Sequence, residues 1–448
     1  MTGHPLLTNR YRARFVGILF LVCFLNLADR TVFSVLVPLM RVDLKLSDTQ
    51  IGMLQGLAFA LLYGGLGIPV GWLAERFSRV GIIAIATAFW SLATACSGMA
   101  GNFGQMLLTR VGVGTGEAGF TAPTSSLVAD HFPRQRRATG MALIMLGLPL
   151  GAMGGAMLAG VIAENWGWRA VFFAFGIPGL LVALTVWLGL TEPPRGLADG
   201  ATQQRTPSPL RAVFSHMWNV PSLRWSVIGA SICSIGIQGV AQFLVLYFVR
   251  SFGMPHRKAA ALFGLVSGAS LAVGLIVGAF GTDRASARDV RWWVIAPAIA
   301  LVLTTLCFVV GFQSASLPIA VTFIAFGCLL AMIHYGPTIG LIQNLTPVNM
   351  RSSAAAVFAM CYALAGTGIG PTFVGLASDR IAASALGQAD YVNLCRPGAT
   401  APQLASACAV AARTGLIGAL TLCVLAYGVA AIFYALASRT LRSDLKTG

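Results

Sequence analysis

Five ionisable residues stand where an apolar chain should exclude them. Asp29 and Arg30 lie in "CFLNLADRTVFSVLVP", Arg110 and Glu117 in "LLTRVGVGTGEAGFTAPTSS", and His334 in "AMIHYGPTIGLIQNL". A charge at the centre of a membrane helix costs about 2.5–3.5 kcal/mol on insertion scales, so such groups must face one another or an aqueous cavity. On a helix, Arg110 and Glu117 are two turns apart on one face, separated by ~10 Å along the axis. Asp29 and Arg30 are adjacent and point about 100° apart. Arg30 can therefore reach Glu117 while Asp29 meets Arg110. The chemistry available to this set is competition between a proton and an anion: a carboxylate that takes up a proton releases its arginine to bind an anion. The plainer alternative is a static double salt bridge, a poor stabiliser because desolvation offsets the attraction.

The elements that must position these groups are long apolar helices. Hydrophobic residues make up 57% of the 448, charged residues only 10%, and the mean hydropathy is +0.79, whereas a soluble chain carries about 25% charged residues. Segments able to cross a ~30 Å hydrocarbon core fall at 15–38, 49–72, 80–101, 104–129, 138–163, 169–190, 225–249, 259–281, 292–312, 317–345, 352–378 and 411–437. They are numbered helices 1 to 12 below. The expected fold is an all-α membrane protein of twelve transmembrane helices in two six-helix bundles, 1–190 and 225–448, joined by a Pro-, Gly-, Gln- and Arg-containing cytoplasmic linker, 191–224. The first segment lacks the short apolar core and small-residue cleavage site of a signal peptide, so it should stay as a helix. Gly112, Gly114, Gly116 and Gly119 clear the face around Glu117 for a close neighbour, and helix 1 is the expected one.

The formal charge of +16 does not read as a nucleic-acid surface. Lysines and arginines concentrate on one set of alternate loops, among them Arg10, Arg12, Arg14, Arg134, Arg136, Arg137, Arg288 and Arg291. By the positive-inside rule both termini are cytoplasmic. Low Lys beside abundant Arg suggests a bacterial chain and hence the cytoplasmic membrane. Most cysteines lie in the spans as small apolar fillers. Cys395 and Cys408 share the loop between helices 11 and 12 on the oxidising side, where they either close a disulfide or stay reduced. No Cys/His spacing suits a metal, no cofactor is implied, and no catalytic residue is assigned. "GVGTGEAG" has no preceding strand, so a phosphate-loop reading fails.

A hexapeptide recurs at the ends of helices 2, 5 and 11: "GWLAER" at Gly71, "GVIAEN" at Gly160 and "GLASDR" at Gly375. Each sets a glycine and an acid one turn apart on one face. "AFGTDR" after helix 8 keeps Asp283 and Arg284 with Ala279 in the glycine place. Recurrence at the second helix of successive triplets suggests three-helix units repeated within each half. With this repeat, the chain resembles the major facilitator superfamily over nearly its whole length. "GWLAERFSRVG" is similar to that superfamily's cytoplasmic loop motif, with Gly71, Arg76 and Arg79 kept and Glu75 in place of the usual Asp. The resemblance implies a gating role for these four and a structural one for Arg110.

The run Asp29–Arg30 and "GEAGFTAPTSSLVADHFPRQRR" most resemble the spinster branch. That resemblance implies a proton-coupled secondary transporter for a lysophospholipid or sphingoid-phosphate type anion, with Glu117 and Asp29 carrying the proton. It also implies a cavity lined by helices 1, 4, 7 and 10. Arg30, Asn26, Glu117, Gln238, Gln242, His334 and Tyr335 would then contact substrate, and Phe24, Phe33, Phe120, Phe243, Tyr247 and Phe248 would wall the space. His334 is either a second titrating group or a neutral hydrogen-bonding one. The expected partners are a small amphipathic anion, protons and membrane lipids, with the protein a monomer. A sugar-acid symporter or multidrug exporter is the nearest alternative, and a non-transporting receptor or scaffold the one from a different class.

Overall fold

A computed structural model gives the protein's architecture and describes residues 5–56, 69–70, 73–74, 76–133, 136–195, 197, 209–347, 350–396 and 402–447. The described residues are mostly helical, with no strand among them. Nine of their helices are long and apolar enough to cross a bilayer. One, Thr139–Gly189, contains two crossings, helices 5 and 6, because Gly167 interrupts it with a φ of +81° that only glycine adopts easily. Helix 2 is described mainly at its start, Asp48–Gln55, and helix 4 is divided into Phe103–Glu117 and Thr121–His131. The protein is a multi-pass membrane protein.

By contacts the chain divides into two compact units. One contains Met1–Leu44, Ala58–Gln204 and Pro255–Gly264; the other contains Lys45–Leu57, Arg205–Met254 and Leu265–Gly448. The start of helix 2 thus packs with the later helices, and the start of helix 8 with the earlier ones.

In the first unit, small residues let backbones approach, the usual basis of packing in lipid. Helix 1, Asn9–Asp43, lies along helix 5 at Gly147, Gly151 and Gly155; a Cβ on Gly151 would sit 2.3 Å from the Phe24 carbonyl oxygen. Three of the four glycines of helix 4 receive helix 3 rather than helix 1. Gly112, Gly116 and Gly119 face Ala93, Trp90 and Ala86 of helix 3, Arg79–Ser97, whose Trp90 needs the space. Helix 1 already has its small-residue groove on helix 5.

Arg79 opens helix 3 and is buried. It donates to Glu192 (2.7 Å), Ser126 (2.8 Å), the Pro193 carbonyl (3.1 Å) and Asp130, tying helix 3 to the end of helix 4 and the start of the linker. Burial pushes the Glu192 carboxyl up, but the Val80 N–H and the Arg79 guanidinium outweigh it and hold it below its ordinary value. A depressed carboxylate contributes stability that is present above the ordinary range and lost as pH falls through it. Glu192→Gln should therefore lower the melting temperature at neutral pH and flatten the fall of stability below about pH 5, as read by thermal melts at a series of pH values.

The second unit holds helix 7, Pro221–Phe252, helix 9, Trp292–Gln313, and helix 12, Ala405–Thr447. Helix 10 is split into Leu317–Met332 and Tyr335–Leu345. Helix 11 runs Arg351–Ala363 and Gly370–Leu386 about a π-helical turn, Leu364–Ile369, where Gly366 meets Ser234 of helix 7. The aromatic wall expected on helix 7 is core instead. Phe243, Tyr247 and Phe248 are fully buried, and Tyr247 donates to the Gly311 carbonyl at 3.1 Å and packs on Phe312. A disulfide joins Cys395 and Cys408.

Candidate functional site

Glu117 is the last residue before a break in helix 4, and His334 lies in the break of helix 10. Each break has a local cause downstream. Pro123 and Pro337 lack an N–H, leaving the carbonyls four residues earlier, Gly119 and Ile333, without their helical donor. The chain tightens instead: Gly119 and Phe120 donate to Gly116 (2.9 Å) and Glu117 (3.3 Å), and Ile333 to Leu330 (3.2 Å). Irregular backbone at membrane depth is tolerated where protein or a water-filled cavity surrounds it, and here it carries the two titratable groups.

In the first unit Arg30 grips Glu117. Its Nε and Nη2 lie 2.6 and 2.5 Å from one carboxylate oxygen, Oε2. The other oxygen, Oε1, has no hydrogen-bond partner among the described residues. The Glu117 side chain is wholly buried, whereas that of Arg30 is 19% exposed, so the pair's basic member is the one in reach of solvent. The Asn26 amide, one turn from Arg30, lies beside the same carboxylate.

The second expected pair is not a direct one: Asp29 and Arg110 feel each other's charge, but no hydrogen bond or ion pair joins them among the described residues. Asp29 accepts the Thr94 hydroxyl of helix 3 at 3.2 Å, and its other oxygen is unbonded among the described residues. Arg110 instead lies over the Phe33 ring, 4.4 Å from its centroid. Such a contact is worth about 2 kcal/mol when desolvated. Phe33 follows Arg30 on helix 1 by about one turn.

In the second unit His334 is fully buried. Its Nδ1 is 2.6 Å from the Ala331 carbonyl oxygen and 3.6 Å from Cys233 Sγ, and its Nε2 has no partner among the described residues. A ring nitrogen facing a carbonyl carries the proton, which in the neutral ring leaves Nε2 as an acceptor. Tyr362 stacks on the imidazole at 6.0 Å, with Tyr335 and Tyr434 edge-on at 6.3 Å each. Tyr362 and Tyr434 escaped the sequence reading because they sit on helices 11 and 12. Gln238 and Gln242 are half-buried on helix 7. Of the loop motif, Arg76 is exposed, Arg79 is in the node already described, and Gly71 and Glu75 lie outside the described residues.

Residues 19–371 match the family model of the Major Facilitator Superfamily. The chain belongs to that superfamily. Among solved structures of its members, the protein is similar to a bacterial homolog of the human lysosomal transporter Spinster, in an inward-facing, unoccupied conformation. The TM-score is 0.89 and the identity 28%, over 98% of this chain and 99% of that one. An MFS-type efflux pump of Mycolicibacterium smegmatis is 31% identical over 84% of this chain and 87% of its own. The probable galactarate/D-glucarate transporter GudP of Bacillus subtilis is 32% identical over 40% of each chain. Within the superfamily the protein therefore resembles the spinster branch, and it is a transporter by family.

Proposed function

We propose that the protein is a proton-coupled secondary transporter that moves an amphipathic or lipid-like anion by alternating access. The halves 1–190 and 225–448 move about the linker 191–224. One chain suffices, since both halves are in it. The membrane is the bacterial cytoplasmic membrane, with both termini inside, as the basic loops favour.

The observation that carries this reading is the Arg30–Glu117 contact at the break of helix 4, with the arginine partly exposed and the carboxylate buried. A buried carboxylate is tolerated as long as Arg30 pairs with it. When an anion draws Arg30 away, Glu117 is left as an uncompensated buried charge and takes up a proton; when the proton leaves, the arginine swings back to the carboxylate and the anion is released. Asp29, held by Thr94 beside this pair, serves as the second proton site. Asn26 orients the Glu117 carboxylate. On the other half, His334 Nε2 offers an acceptor to a polar group of the substrate, and Tyr335, Gln238 and Gln242 supply amphipathic contact. A sugar acid or other small organic anion is the second reading, favoured by the likeness to the galactarate/D-glucarate transporter.

The test uses proteoliposomes with and without a pH gradient, offered a lysophosphatidate and glucarate separately. A gradient should raise accumulation of the accepted anion about tenfold per pH unit for one proton per anion, because one pH unit is 1.36 kcal/mol. Accumulation of every accepted substrate unchanged by the gradient would remove the coupling; preference between the two anions separates the lipid reading from the sugar-acid one.

A further inference from the structure

The first residues of helix 2 are held from three directions, and the hexapeptide repeat explains how. Asp48 is buried, and its carboxylate accepts both Nη groups of Arg250, from the end of helix 7, at 2.6 Å each. Ser378 of helix 11 donates to it at 2.7 Å. The neighbouring Asp379 accepts the backbone N–H groups of Asp48 (3.3 Å) and Thr49 (2.8 Å) and the Thr49 hydroxyl (2.7 Å). Those N–H groups belong to the first turn of helix 2 and have no partner within it, so a carboxylate from helix 11 caps helix 2 at the positive end of its dipole. Gly375, one turn from Asp379, makes the approach feasible: a Cβ there would lie 2.2 Å from the Asp48 carbonyl oxygen.

"GVIAEN" on helix 5 does the same for helix 8, His256–Ser286, more loosely. Gly160 receives Ala260, and Glu164 pairs with Arg257 at 3.1 Å, both side chains about half exposed. Solvent screens such a pair, leaving it a weak tie. The helix 2 seam is the firm one.

The described residues between helices 11 and 12 tie in beside it. Cys395, Cys408 and Tyr391 form a small buried cluster with Ala382 and Ala411. Arg396, next to the disulfide, donates its Nε to the Lys45 carbonyl at 3.2 Å. Lys45, in the turn between helices 1 and 2, holds a left-handed φ of +52°, alone among the described non-glycine residues. A side chain in that region is disfavoured and persists where neighbours hold it.

We propose that the Cys395–Cys408 disulfide, by fixing Arg396 against the Lys45 carbonyl, is a strap that holds the helix 1–2 turn and the start of helix 2 against helices 7 and 11, and so governs how readily this face of the carrier opens. Helix 2 belongs in sequence to the first six-helix half, and its partners here to the second, so opening at this face requires that Asp48 leave Arg250 and Asp379. The strap rests on the alternating-access reading above, but not on proton coupling or on any substrate.

Hydrogen–deuterium exchange of the full-length protein in nanodiscs tests it, followed in a peptide covering residues 45–56. Reduction with a phosphine, and separately Cys395→Ser, should each speed exchange there by about tenfold or more, the signature of a local opening. Arg396→Ala should give a smaller rise, and peptides from helices 3 to 6 should be unchanged. Asp379→Asn, which acts on the seam itself, should speed the same peptide in the oxidised protein. The strap is overturned by unchanged exchange in the reduced protein, by an equal rise across helices 3 to 6, or by alkylation of Cys395 and Cys408 without reductant. A failed pH-gradient assay with the exchange result intact would sink the coupling and leave the strap.

Discussion

Glu117→Gln should abolish accumulation driven by a pH gradient, by at least about a hundredfold, the scale on which loss of a proton-transferring group is felt, while substrate exchange down its own gradient continues. Glutamine keeps the shape of the carboxylic acid and an acceptor oxygen for Arg30, but holds no charge and takes up no proton. It imitates the protonated state permanently. Arg30, bound through Oε2 in the wild type, is then freed for the anion at every pH. Affinity for the anion should therefore hold or rise, and the pH dependence of transport should flatten. Counterflow and gradient-driven uptake measured on the same proteoliposomes separate the two effects. A variant that still accumulates substrate with the wild-type pH profile would show that the proton travels elsewhere, with Asp29 the next residue to replace.

The sequence makes the Arg30–Glu117 contact legible because it depends on quantities a sequence carries: depth along two helices and helical phase. Those quantities do not say what lies between two groups. Asp29 points away from Arg30 as its phase requires, yet its partner is Thr94 on helix 3, a short hydroxyl with no mark to distinguish it from other threonines in apolar helices. Arg110 rests on the Phe33 ring, on the same helix as Asp29, while the Glu117 and Asp29 carboxylates act on it through space, and an aromatic face carries no charge for a sequence reading to pair. The glycines of helix 4 likewise announce a close neighbour without naming it, and Trp90 of helix 3 is the bulk they accommodate. Two features are legible in the sequence beyond those used above. Pro123 and Pro337 each leave a carbonyl undonated within two residues of a titratable one, which predicts breaks where helices 4 and 10 have them. The glycine–acid hexapeptide is visible as a repeat, but its role at helices 5 and 11, to receive the start of another helix, needs the partner backbone to be seen.

Arg30→Ala and the double variant Arg30→Ala/Glu117→Gln decide between a static tie and an exchangeable one. In the single variant Glu117 stays buried with its cationic partner gone, and removing one member of a buried pair costs about 3–5 kcal/mol. Its melting temperature should fall clearly below that of the wild type. In the double variant the carboxylate is gone as well, so no charge is stranded, and most of the lost stability should return. Transport should not return, because the anion has lost its arginine in both. A static salt bridge whose only role is to hold helices 1 and 4 predicts the same recovery of stability, since no charge is stranded in the double variant, but with transport returning in step with it. The recovery of stability without transport therefore marks the pair as one in which neither partner is fixed, with Arg30 committed to Glu117 only until a proton or an anion replaces one of them.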